Sequence, residues 1–146
     1  MTKDAFRDVS DMTLFTAKRI MDFVFQEAGK RELKLACAVC DRAGNLVLSG
    51  RMDDSQLGGL PLAVDKAFTS VAFGHPTGKW ASLSTPGESD WGLANSLGGR
   101  VTVFPGGLPI FFQGQLVGGV GVSGAASLTD EEVASLAIAS LSLEDN

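Results

Sequence analysis

The sequence predicts an α+β domain in which helices pack on a central five-stranded antiparallel sheet, in the order α-β-β-α-β-β-β-α. Three observations carry this expectation. Two stretches, over residues 10–29 and 60–74, repeat apolar residues at three- and four-residue spacing, the period of a helix face. Short apolar runs over 35–51 and 100–124 are joined by tight glycine-containing turns, which suit antiparallel hairpins. A T-x-x-E capping box at Thr129–Glu132 then opens a last helical stretch.

The elements follow in order. Residues 1–9 form a polar lead-in, and residues 10–146 form one domain. Ser10 is placed to cap the first helix, with Asp11 setting negative charge in its first turn. Leu14, Ala17, Ile20, Met21, Val24 and Ala28 line one face, and the helix ends near Gly29. Phe15, Phe23 and Phe25 widen the apolar surface beyond one stripe, so a second element or a second subunit is expected to cover it. Leu35 to Cys40 reads as a strand buried on both faces, Asp41–Asn45 as a turn, and Leu46 to Arg51 as the returning strand. Pro61 suits the first turn of the second helix, Gly74 its left-handed closing residue, and Pro76 blocks continuation. His75 falls just past that helix end, where exposed carbonyls favour a cation.

Residues 78–99 are irregular, with short helical turns around 79–83 and 91–97, in a loop long enough to suggest function. RVTVF at 100–104, LPIFFQ at 108–113 and QLVGGVGVSG at 115–124 then read as three strands. Gly118, Gly119 and Gly121 weaken the last of these unless a backbone or ligand approaches closely, and an interface between subunits is one place for it. The final helix runs through Val133, Leu136, Ala137 and Leu141.

Composition narrows the function. Hydrophobic residues make up 45% and charged residues 20%, which is a globular balance. The net charge of -5 and the lack of a basic cluster exclude a nucleic-acid partner. No apolar run reaches the roughly 18 residues of a membrane span, and the N-terminus has no apolar signal core, so a cytoplasmic protein without a membrane partner is expected. Cys37 and Cys40 fall on opposite faces of their strand and read as buried free thiols. A single histidine excludes a multi-histidine metal site. Ser123 stands in G-V-S-G rather than G-x-S-x-G, so no nucleophile elbow is present.

The polar residues that remain are Arg51, Asp53, Lys66, Thr69, His75 and Thr77. Arginine and lysine clamp carboxylates, and histidine ligates iron or moves protons near neutral pH. The same residues also suit ordinary ion pairs and helix hydrogen bonds, so the sequence leaves both uses open.

Three phrases in order, DRAGNLVLSGRMD, DKAFTSVAFGHPT and FPGGLPIFFQGQLVGGVGVSGA, resemble the GlcG/HbpS family, which includes the C-terminal domain of PduO-type proteins. The resemblance spans residues 10–142. It implies a profilin-like fold, homo-oligomers from dimers to octamers, and a small-molecule ligand for which haem is the candidate cofactor. The matching positions are Arg51, Met52 and Asp53; Lys66, Ala67 and Thr69; Pro76 and Thr77; and Pro105, Gly106, Gly107 and Pro109. His75 lies outside that pattern, yet a histidine-ligated haem must use it; Thr69, Met52 or a cysteine are the alternatives.

The expected function is therefore ligand binding by an oligomer, with Arg51, Met52, Lys66, Thr69, His75, Thr77, Gly106 and Gly107 around a pocket between the second helix and the PGG turn. Two readings compete. One is a catabolic isomerase, tautomerase or hydrolase acting on a small organic acid through His75, Lys66 and Asp53. The other is an accessory assembly protein without a ligand of its own.

Overall fold

A computed structural model of the protein describes residues 2–144, with side chains to residue 142. The outer ends of the 1–9 lead-in and the 10–146 domain, Met1, Asp145 and Asn146, lie outside the described residues. Three helices, α1 (Leu14–Lys30), α2 (Gly59–Phe73) and α3 (Ser127–Glu144), accompany four strands. These are β1 (Ala36–Asp41), β2 (Leu46–Arg51), β3 (Gly107–Phe112) and β4 (Gln115–Ser123). All neighbours are antiparallel, in the order β2-β1-β4-β3.

The sheet therefore has four strands, not five, and the element order is α-β-β-α-β-β-α with short 3-10 turns between. The missing strand is Arg100–Phe104. The Thr69 hydroxyl on α2 donates to the Arg100 carbonyl at 3.1 Å and accepts from the Thr102 N–H at 3.0 Å. Two of its backbone groups are thus satisfied by a helix side chain rather than by a neighbouring strand.

The sheet is covered on both faces. Ala17, Ile20 and Val24 of α1 join Val133 and Ala137 of α3 over Cys37, Val39, Val120 and Val122. On the other face Ala63, Ala67 and Val71 of α2 meet Ala36, Ala38 and Cys40. The two cysteines thus lie in different layers, both buried and free. Burial pushes each thiol up to about 12, which removes thiolate chemistry near neutral pH.

Helix α2 lies directly on β4. A Cβ at Gly121 would strike the Ala63 carbonyl, and one at Gly119 would strike the Ser70 hydroxyl and sit 2.8 Å from the Ala67 carbonyl. The close partner expected of this glycine-rich strand is the α2 backbone of the same chain. It is not another subunit, because β4 is a central strand.

Two helix starts differ from the sequence expectation. Thr13, not Ser10, caps α1, its hydroxyl accepting from the Thr16 N–H at 3.1 Å. Asp11 instead accepts from the Arg42 N–H at 2.8 Å and ties the residues just before α1 to the β1–β2 turn. Helix α3 begins at Ser127, so Thr129 lies inside its first turn and Asp130 is free to point back at the preceding loop. Helix α2 begins at Gly59, carries Pro61 in its first turn and ends at Gly74 with φ 69°. No helix among the described residues is long and apolar enough to cross a membrane.

Candidate functional site

Lys66 occupies the middle of α2 on the side facing β3 and β4, and its side chain is only 1% exposed. Its ammonium donates to the Val122 carbonyl at 2.8 Å and pairs with Asp130 Oδ2 at 3.2 Å. The Phe104 ring lies over it, 5.2 Å from Nζ to the ring centroid. Asp130 Oδ1 accepts from the Ala125 N–H at 3.0 Å. Loss of water lowers the Lys66 pKa and raises that of Asp130, and the attraction between them opposes both shifts.

The PGG turn wraps this pair. A Cβ at Gly106, where φ is 130°, would strike the Lys66 ammonium and come within 2.7 Å of the Val122 carbonyl. The Thr77 hydroxyl accepts from the Gly107 N–H at 2.9 Å, which fastens the segment after α2 to the start of β3. Lys66, Thr77, Gly106 and Gly107 thus lie together between α2 and the PGG turn, while Thr69, one turn on along α2, faces the Arg100–Thr102 segment. Thr77 and Gly107 bond to each other, whereas Lys66 bonds the Val122 carbonyl and Asp130, and Thr69 bonds the backbone of Arg100 and Thr102.

Arg51, Met52 and Asp53 are elsewhere. Arg51 ends β2, at the opposite edge of the sheet from β3, and Met52 and Asp53 follow it. Arg51 and Asp53 are exposed, and the Met52 sulfur accepts from the Leu35 N–H at 3.4 Å.

His75 stands at a third place, just beyond the left-handed Gly74. Its Nε2 lies 3.1 Å from the Lys79 ammonium. An ammonium only donates, so Nε2 accepts and the ring proton is assigned to Nδ1. The Trp80 ring packs edge-on to His75 at 6.0 Å and to Phe73 at 5.5 Å between centroids. Lys79 also lies over Trp80, at 5.5 Å from its centroid. Trp80 Nε1 is buried and has no hydrogen-bond partner among the described residues, a rare state for an indole donor. Imidazole, ammonium and orphan indole N–H therefore stand together at the end of α2. Sequence reasoning found the first of these and missed Lys79 and Trp80, although the GHPTGKW run places all three within six residues.

A groove of about 480 Å³ was missed altogether. It lies on the α1/α3 face and includes Met12, Phe111, Phe112 and Ile138. Its one sequence signal was the adjacent pair Phe111-Phe112 beside a Gln-Gly turn.

Known proteins share this architecture. The family model described as "Haem degrading protein HbpS-like" matches residues 12–139. A 15.0 kDa uncharacterized protein in the dhaT-dhaS intergenic region of Citrobacter freundii is 30% identical over 132 residues, 90% of this chain and 93% of that one. The crystal structure of Klebsiella pneumoniae ORFY superposes with a TM-score of 0.92 at 31% identity, covering 97% of both chains. The crystal structure of a PduOC–haem complex superposes with a TM-score of 0.85 at 29% identity, covering 88% of this chain and 94% of the other.

Proposed function

The chain belongs to the HbpS-like family, and from that premise we propose that it is a small-ligand-binding protein whose ligand is haem, held at His75 on the surface of a homo-oligomer. The observation that supports this reading is the set of groups at the end of α2. Iron takes nitrogen and sulfur donors, and most of those present are enclosed. Cys37 and Cys40 are buried, Met52 carries the Leu35 N–H, and the Thr69 hydroxyl is engaged on both sides. His75 presents its imidazole at the half-exposed end of the helix, with only the Lys79 ammonium against Nε2.

The surroundings suit the rest of the group. His75 would be the residue to hold the iron, and the Lys79 ammonium beside it would be placed to pair with a propionate. Trp80 supplies an aromatic edge beside the imidazole. Bound haem supplies iron, whose reactivity follows its axial ligand. The protein's own part is to present the imidazole in the Nδ1–H form and to neutralise a carboxylate.

Proton transfer to an organic acid has less support. Lys66 is turned inward onto Asp130 and Asp53 lies at the far sheet edge, so neither shares a contact with His75. The test is titration of the purified protein with haemin followed at the Soret band. His75→Ala is expected to move the band and to weaken binding more than about tenfold, the scale of losing a metal-site partner. An unchanged band and affinity would remove His75 as the iron ligand.

A further inference from the structure

The four-stranded sheet has two outer edges, and the chain closes only one of them. On β3 the Gly107 N–H already donates to the Thr77 hydroxyl at 2.9 Å. Two residues on, Pro109 has no N–H, and a proline is tolerated in a sheet where the missing donor faces away from the neighbouring strand. Nothing comparable guards β2. Leu46–Gly50 contains no proline, lysine or acidic residue. β1 is its one neighbour, and among the described residues no loop or side chain bonds the outward backbone groups of Leu46–Arg51. The register shift against β1 falls between Leu46 and Leu48, at the turn end, and Leu48–Arg51 keep a regular pairing.

We propose that this open edge is where a second copy of the chain docks, β2 against β2 and antiparallel about a two-fold axis, so that two four-stranded sheets become one. The proposal assigns a contact inside the homo-oligomer proposed above and rests on that part of the reading. Charge identifies the occupant. Arg42 lies in the turn before β2, and Asp53 and Asp54 lie just after it. None of the three side chains has an ion-pair partner among the described residues. Asp41, also in the turn, is spent on the Ala43 and Asn45 N–H groups. An antiparallel approach sets the turn of each copy beside the far end of the other's strand. Arg42 then meets the partner's acidic pair, and the two-fold axis makes that contact twice. Arg51 faces the uncharged start of the partner's strand. The edge thus selects a strand carrying the same charges in reverse order, and the chain itself supplies one.

Helix α1 runs beside the same strand. The Met21 sulfur stands 3.1 Å from where a Cβ on Gly50 would be, and Phe25 borders that glycine at 3.8 Å. Leu14, seven residues before Met21, shares its helix face and is 48% exposed. Leu46, the first residue of β2, is 51% exposed. Joined sheets give these leucines apolar surface beside the new main-chain bonds, the combination by which strand addition binds.

The experiment exchanges charges in the whole protein and reads self-association by sedimentation. Arg42→Glu sets acid against acid at both contacts, and Asp53→Lys/Asp54→Asn sets base against base. Asparagine is chosen at position 54 because it tolerates the left-handed φ of 65° there. Each variant alone is expected to weaken self-association about tenfold, because the axis repeats the reversed contact. Mixed one to one, the two are expected to associate as the unaltered chain does, since both contacts again join opposite signs. A variant that merely fails to fold cannot be rescued in this way. Hydrogen exchange of the unaltered protein is expected to show protection over residues 46–51 that rises with protein concentration. A chain that stays monomeric overturns the contact together with the homo-oligomer. An oligomer that ignores both charge variants, lacks rescue in the mixture, or gains its protection outside residues 46–51 overturns the contact alone. The haemin titration of His75→Ala decides the haem reading separately.

Discussion

Lys66 is long, charged and buried, a combination that costs free energy unless its head group is matched. Asp130, the Val122 carbonyl and the Phe104 ring supply that match. Lys66→Met leaves a buried carboxylate without its cation and is expected to destabilise the fold by about 3–5 kcal/mol. Adding Asp130→Leu is expected to recover most of that loss, because two apolar side chains need no mutual neutralisation. The sign of the pH dependence follows from Asp130, whose pKa burial already raises. In Lys66→Met the folded state keeps a proton that the unfolded chain releases. Stability of that variant is therefore greatest below the ordinary carboxylate range and falls as pH rises through the raised folded value. Urea titrations at acid and neutral pH check this; a midpoint that rises with pH would contradict it.

At the level of elements, the contact between α2 and β4 is set by absent side chains. Gly121→Ala drives a methyl into the Ala63 carbonyl, and backbone cannot step aside as a flexible side chain does. A loss at or above the upper end of the roughly 1–3 kcal/mol typical of overpacking is expected, read from the shift in urea midpoint. Gly29 makes a useful contrast. It lies within α1, has nothing within 4 Å of its would-be Cβ and does not adopt a positive φ. Gly29→Ala is expected to stabilise by about 0.5–1 kcal/mol through helix propensity alone. Thermal melting that moved both variants in the same direction would show that the close approach is not the controlling contact.

Over the whole molecule, one apolar surface on α1 remains for a neighbour. Phe23 and Phe25 of α1 pack against their own core, but Phe15 stays 70% exposed. We expect this end of α1 to be covered in a homo-oligomer, so light scattering at micromolar concentration is expected to give a mass above that of one chain. Phe15→Glu should shift the population toward smaller species, since a charge would be buried unpaired. A monomer before any substitution would leave Phe15 without a partner of its own kind.

Features set by a few adjacent residues were legible before any coordinates. Pro61 and Gly74 bound α2, Gly44 turns β1 into β2 at φ 84°, and Cys37 and Cys40 fall on opposite faces. Each follows from backbone sterics or from the period of a strand, which act over a handful of positions. Folding decided the rest. RVTVF carries strand-forming residues, but its Arg100 carbonyl and Thr102 N–H bond the Thr69 hydroxyl, and it stands outside the sheet. Lys66 read as a ligand clamp, but its carboxylate partner stands 64 positions away, within what looked like a capping box. Which charge meets which, and which side chain stays uncovered, depends on how distant segments close on one another. Local pattern holds no record of that closure, because its free energy comes from contacts the chain makes only once folded.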